Sequence, residues 1–479
     1  MLALQMSFGS YEAGVIQTTP FPAQGPEERY ALAQFARKAW SLTRAFKTID
    51  ETSCSFVLPA AFNERRGFDP ARVALELSNL MADIDDLAFR LYGVSQKDRH
   101  VIEEGELSVT RVANELDDVE GGSDESDEVE PEYGLTDSGD DGLISWLVGV
   151  AFGRFDLRLA TGARPIPPEP EPFDPLPVRS PGMWPESEKP PVRPPDILVD
   201  DPGHPQDLAS HVMAVANAVK VAEPENLRSW LAREFFPVHI KMYSKSRRKA
   251  PIYWQLATPS ARYSVWLYIH AFTRDTMYRV QNDYVVPKLM LEERRLETMR
   301  RERQERSTAA ERRALADQET FVDELRSLLD EVKRVAPLWN PELDDGVVIN
   351  FASLWRLVSH HRPWQRELKS AWDALCAGKY DWAHLAMHLW PERVIPKCAT
   401  DRSLAIAHDL EDVFWEQSTD GSWAARRAPT QPVDKLIQDR TSPAVKDALQ
   451  NLLNAPTAAN GVGTRRRRAA AGVGNGGGR

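Results

Sequence analysis

A mainly α-helical fold is what this 479-residue sequence predicts: helical hairpins and a Trp-rich helical C-terminal domain, with small β elements, joined by acidic and Pro-rich linkers. Three observations carry that expectation. Apolar residues recur at three- and four-residue spacing over long stretches, as on an amphipathic helix. The alternating strand–helix pattern of a nucleotide-binding sheet is missing. Ten of the fourteen tryptophans fall in one block, 207–417, where they can build a core.

Residues 1–102 read as a helical N-terminal region. Pro26-Glu27-Glu28 suits a first turn, because Pro fits the first helical position and carboxylates favour a helix N-terminus. Leu32, Phe35, Ala36, Ala39 and Leu42 follow at helical spacing. Pro70 opens a second helix with the stripe Val73, Leu77, Leu80, Ile84, Leu87 and Leu91, stopped by Gly93. Two such helices facing each other make a hairpin.

Residues 103–142 are acidic and low in complexity. Between Glu103 and Asp141 sixteen carboxylates stand against one base, Arg111. Like charges at that density repel and bury no core, so a disordered linker is expected; imitation of nucleic-acid phosphates is the sharper alternative. Residues 143–206 join a short apolar segment, Leu143–Phe155, to a connector with fifteen prolines between Pro165 and Pro205. Proline at that frequency removes donors and blocks helix, leaving an extended chain that wraps a surface or serves as a peptide ligand.

Residues 207–417 form the largest ordered block, a helical Trp-rich domain. Pro287 to Ala336 is a long helical stretch with a bend near Ser307-Thr308. The tail, 418–479, is polar, ends in Arg465–Arg468 and a Gly-rich run, and is expected to be disordered.

Charge and composition narrow the class. The net charge is −12 overall and −15 over the acidic segment, which leaves +3 for the remainder. The rest of the chain is therefore mildly basic, and steering depends on where charges sit. No apolar run approaches the ~18–20 residues of a membrane span, and the N-terminus lacks the basic-then-apolar pattern of a secretory signal. Cys54, Cys376 and Cys398 are too sparse for a disulfide framework. A soluble cytoplasmic protein with no membrane partner is expected.

No catalytic motif is found. There is no Gly-x-Gly fingerprint after a strand, no phosphate-binding loop, no nucleophile elbow, and no Asn/Asp-Pro-Pro-Tyr/Phe tetrapeptide of amino-methylating DNA enzymes. No metal site is assigned. Cys376, His384, His388 and Cys398 are zinc-type ligands, and the two histidines share a helix face, but the spacing is loose for structural zinc and apolar neighbours suit buried histidines.

The basic cluster points further. Lys241, Lys245, Arg247, Arg248 and Lys249 lie within nine residues, followed by Tyr253 and Trp254. Concentrated cations supply the salt-dependent affinity that phosphates demand, and aromatics can stack on bases. These seven residues are the expected DNA-binding set. A solvated loop with Tyr253 and Trp254 in the core is the alternative. The arginines of the 287–336 arm, interspersed with glutamates, read as salt-bridged solvent faces.

Several phrases carry a resemblance: Phe8-Gly9-Ser10-Tyr11-Glu12-Ala13-Gly14-Val15-Ile16; Ala39-Trp40-Ser41-Leu42 with Glu51-Thr52-Ser53; Gly142-Leu143-Ile144-Ser145-Trp146 through Phe152-Gly153-Arg154-Phe155; Lys245 through Trp254; Asp344-Asp345-Gly346-Val347; and Tyr380-Asp381-Trp382-Ala383-His384 through Pro396-Lys397-Cys398. In this order they resemble the C-terminal half of large adenine-specific DNA methyltransferases of BREX (PglX-like) and DISARM phage-defence systems, akin to type IIG restriction–modification enzymes. In that family an N-terminal domain binds S-adenosylmethionine and carries the Asn-Pro-Pro-Tyr-type motif, and the C-terminal half serves target recognition and partner contact. The catalytic positions have no counterpart here. The resemblance therefore implies a fragment, a split-gene subunit or a relic, with no cofactor in this chain and S-adenosylmethionine on a separate catalytic domain. The expected function is DNA recognition and scaffolding for an adenine-specific methyltransferase. Its partners would be double-stranded DNA and a catalytic polypeptide or other defence proteins. The alternative is a protein-interaction subunit that does not bind DNA.

Overall fold

Pro26 and its two glutamates open α1 (Pro26–Lys47), and Arg44 and Lys47 close it, each charge matched to the helix dipole. In the computed structural model, which describes residues 20, 22–64, 67–102, 139–222, 226–245, 248–302, 308–419 and 421–455, α1 packs against α2 (Pro70–Leu91) as a helical hairpin. Asp69 caps α2 by accepting from the Ala71 and Arg72 amides, and Val73, Leu77, Leu80 and Leu87 are its buried positions. α1 has no fully buried residue, so its apolar stripe is only half covered. Outside the described residues lie the phrase 8–16, most of the acidic segment (103–138), Arg247, Arg303, Arg306 and Arg465–Arg468.

The chain divides into two units, Met1–Ile252 and Tyr253–Arg479. In the first, the apolar run is α3 (Gly139–Ala151), with Trp146, Leu147 and Val148 fully buried. Around it pack α4 (Leu208–Ala218), capped by Asp207, and α5 (Phe235–Met242). The Pro-rich connector is extended and tied to this unit. The Asp156 carboxylate accepts from Arg158 and Arg164, the Gly182 amide donates to the Phe56 carbonyl at 2.8 Å, and Glu171 pairs with Arg37 at 2.7 Å. Burial alone would raise the Asp156 carboxyl, but the Arg158 and Arg164 hydrogen bonds hold it below the usual range.

The first unit carries the short pair β1 (Ser244–Lys245) and β2 (Arg248–Lys249), and the second opens with a buried antiparallel hairpin, β3 (Tyr253–Ala257) on β4 (Ser264–Tyr268). The long helical stretch is two antiparallel helices, α6 (Val286–Glu302) and α7 (Ala309–Val335), the second started by a Thr308–Glu311 capping box. Its charges pair as expected, Arg300 with Glu319 at 2.8 Å and Arg326 with Glu293 at 2.7 Å. The Trp-rich core includes Trp254 stacked on Phe351, with ring centroids 3.7 Å apart. α8 (Arg362–Cys376), α9 (His384–Leu389) and α10 (Pro391–Cys398) follow.

The tail expectation needs correction. Residues 421–455 are folded, with β5 (Trp415–Gln417) paired to β6 (Trp423–Ala425), then α11 (Val433–Arg440) and α12 (Pro443–Leu453). Leu436, Val445, Leu449 and Leu452 are buried, and this sparse stripe was outweighed in the sequence by the polar residues around it. Among the described residues no helix is long and apolar enough to cross a membrane. The protein is mainly α-helical, with only small antiparallel sheets among the described residues.

Candidate nucleic-acid interface

The cationic segment begins on the last turn of α5, where Lys241 is exposed, and continues into the β1–β2 pair. Cα partners are Ser244 with Lys249 and Lys245 with Arg248. Below the pair, the Ala250 amide donates to the Tyr243 carbonyl at 3.1 Å. Five cations and no carboxylate occupy positions 241–249, and two of them, Lys245 and Arg248, are directly paired across the strands. Like charges at paired positions are destabilising. The pair is held to the rest of the first unit by an anchor.

The anchor is at its base. Arg154 Nη1 donates to Glu51 Oε1 at 3.0 Å and to the Tyr243 hydroxyl at 2.6 Å, and that hydroxyl donates to Glu51 Oε1 at 2.7 Å. Glu51 and Arg154 are both buried, with side chains 5% and 6% exposed. Arg154 also lies over the rings of Phe155 and Tyr243. The turn that delivers it depends on Gly153, whose φ of +73° suits glycine and where a Cβ would collide with the Pro194 ring. His239, one turn before Tyr243, accepts from the Ile252 amide through Nε2 at 2.8 Å, so its neutral ring carries the proton on Nδ1. Burial, and then the Arg154 charge, push this imidazole well below its ordinary pKa. The hairpin thus stands on a neutral histidine and a desolvated Glu–Arg–Tyr cluster.

Of the seven residues expected from sequence, Lys241 and Lys249 are exposed, and the backbones of Lys245 and Arg248 form the pair. Arg247 lies outside the described residues. Tyr253 and Trp254 are a correction. Both are fully buried in β3, and Trp254 has Phe351 against its face and Trp364 against its edge, so neither offers a ring to a base. Glu51, Arg154, Tyr243 and His239 were given no role from sequence, although Glu51 and Arg154 stand in phrases that carry the resemblance. The available signal was an arginine closing an otherwise apolar run, which asks for a buried partner.

Two of the four zinc-type residues are engaged elsewhere. His384 Nδ1 contacts Asp345 Oδ1 at 2.9 Å, and the Cys398 thiol donates to the Val394 carbonyl at 3.5 Å. Burial is the main cause that pushes the Cys376 and Cys398 thiols up to about 11. Among the described residues no group of three or more His, Cys, Asp or Glu is gathered so as to hold a metal ion.

No family model matches the chain. Over 140 residues, 28% of its length, the chain is 27% identical to the adenine-specific methyltransferase BrxX of Escherichia coli O9:H4 (strain HS). Over 135 residues, 27% of its length, it is 28% identical to the adenine-specific methyltransferase PglX of Lacticaseibacillus casei (strain Zhang). Each match spans 11% of the relative's own length. A relationship to PglX-like proteins of the BREX type stands, at modest identity and over part of the chain.

Proposed function

We propose that this chain is the DNA-recognition and scaffold portion of an adenine-specific methyltransferase from a phage-defence or restriction–modification system. It grips duplex DNA through residues 241–249, while S-adenosylmethionine and the methyl-transfer groups belong to a separate catalytic domain or polypeptide. The observation that carries this reading is the paired placement of Lys245 and Arg248 in a hairpin with no carboxylate, fastened below by Tyr243 to buried Glu51 and Arg154. Five cations within nine residues concentrate positive charge that phosphates would neutralise.

The test is duplex affinity measured by fluorescence anisotropy against salt. Contacts from all five cations give a slope of log affinity on log salt approaching about −4.5. Arg247→Glu with Arg248→Glu abolishes binding at low salt, and Lys249→Ala reduces the slope by about one. A wild-type slope near zero, or unchanged binding by the charge-reversed variant, overturns the reading.

A second reading, a protein-interaction subunit that does not bind DNA, has one specific observation in its favour. Phe173, Leu176 and Val178 of the Pro-rich connector are 97%, 79% and 86% exposed, as in an extended segment offered to an apolar groove. A flat salt response, with loss of a defence-protein contact on Phe173→Ala, would select it.

A further inference from the structure

A large aromatic side chain left in water on a rigid support is informative in a way that a scattered apolar residue is not. In the second unit Trp254, Trp266, Trp339, Trp355, Trp364 and Trp372 are buried, whereas Trp382 is 45% exposed. It sits in a tight turn closed by the Ala383 amide donating to the Tyr380 carbonyl at 3.0 Å. Both neighbours in sequence, Asp381 and Ala383, are buried.

The turn is clamped from two sides. The Asp381 carboxylate accepts from Arg393 Nη2 at 2.7 Å and from Lys397 Nζ at 2.5 Å, and its backbone carbonyl contacts His408 Nε2 at 2.7 Å. On the other side buried Asp345 accepts from the His384 amide at 2.7 Å and the Leu385 amide at 2.8 Å, and contacts His384 Nδ1. Trp382 therefore projects from a backbone with little freedom left to lose, and the Tyr380 ring stands edge-on with centroids 6.3 Å apart. Pre-organisation of this kind lowers the cost of binding. Arg393 and Lys397 outnumber Asp381 by one charge, and Lys379 is exposed, but so is Asp344 beside the His384 clamp. The charge excess is small. Any affinity here comes from the ring face.

We propose that Trp382 is a stacking platform for an unpaired nucleobase, a second nucleic-acid contact distinct in kind from the cationic hairpin. The inference rests on the DNA-binding reading above and adds what the hairpin cannot supply, a preference for a base out of its stack. Stacking on an aromatic side chain is tolerant of base identity and depends little on salt, whereas phosphate contacts depend strongly on it.

The experiment uses the full chain and three labelled probes: a perfect duplex, the same duplex with one unpaired base, and a short oligothymidylate. The wild type should bind the duplex with the unpaired base about tenfold more tightly than the perfect one, with the ratio unchanged as salt rises. W382A should erase that ratio and the oligothymidylate binding, and W382F should keep most of both. Charge reversal of Arg247 and Arg248 should weaken both duplexes together and leave the ratio intact. If the perfect duplex binds and W382A matches wild type on every probe, the stacking role is overturned and Trp382 is a protein contact. If no duplex binds but oligothymidylate does through Trp382, the hairpin reading fails and the platform stands.

Discussion

Glu51 in the first unit and Asp345 in the second are both buried carboxylates that hold a resemblance-bearing segment in place, yet they are satisfied in opposite ways. Glu51 faces one guanidinium and one hydroxyl, brought from 103 and 192 residues away, and its Oε2 is buried without a hydrogen-bond partner. Asp345 spends both oxygens on the first amides of α9, and one of them also meets the His384 ring. The first arrangement is an ion pair taken out of water. The second is a helix cap made by a residue from elsewhere in the chain. An ion pair of the first kind fails all at once, because whichever partner remains is a desolvated charge. A cap fails in parts, one amide at a time.

Breaking the first arrangement should give the largest effect. Arg154→Met leaves the Glu51 carboxylate buried with only the Tyr243 hydroxyl, and should cost about 3–5 kcal/mol in urea denaturation. The double variant Glu51→Gln with Arg154→Met removes the orphaned charge and should recover most of that loss. A single-variant cost below about 1 kcal/mol, in the range of exposed pairs, would mean that the cluster is hydrated and that the contrast with Asp345 is not one of burial.

Asp345→Ala should rank second, at about 2–3 kcal/mol, from loss of the cap and exposure of the buried Leu385 amide to a partnerless state. Its signature is local. Hydrogen exchange should quicken at the α9 amides, while the Ala250 amide in the first unit exchanges as in wild type. Quickening at both places would show the two units to be energetically one, and would remove the basis for contrasting them.

How much of this was legible in the sequence follows from the range of each interaction. α1, α2 and the α6–α7 pair were readable because their signals are local: Pro26 and Pro70 at helix starts, a bend near Ser307-Thr308, and apolar stripes at helical spacing. The concentration of cations at 241–249 was equally local. The Glu51–Arg154–Tyr243 cluster was not, since nothing near Glu51 in sequence shows that Arg154 will meet it. Tyr253 and Trp254 were ambiguous for another reason. Aromatics beside a basic run suit either a stacking face or a strand core, and only the β3–β4 pairing puts both inside. The same ambiguity hid Trp382, whose exposure comes from clamps supplied by Asp345, Arg393, Lys397 and His408 across 12 to 39 residues.

Acid sharpens the contrast with the smallest change per step. Burial holds His239 neutral in the first unit and pushes His360 in the second down to about 4, so the unfolded chain binds a proton near pH 6.5 that each folded unit refuses. Their stabilising contribution is complete above about pH 6.5 and drains away as pH falls through it, by about 1.4 kcal/mol per pH unit for each histidine. In the second unit His361, His388 and His408 are also lowered, with burial the leading cause each time. The second unit should therefore lose stability faster than the first between pH 7 and about 5.5, as read by hydrogen exchange of buried amides corrected for intrinsic rate. His360→Gln should flatten the second unit's slope by close to one proton and leave the first unchanged. Equal slopes in wild type would mean that His361, His388 and His408 add nothing, and that one buried histidine in each unit, His239 and His360, carries its acid sensitivity.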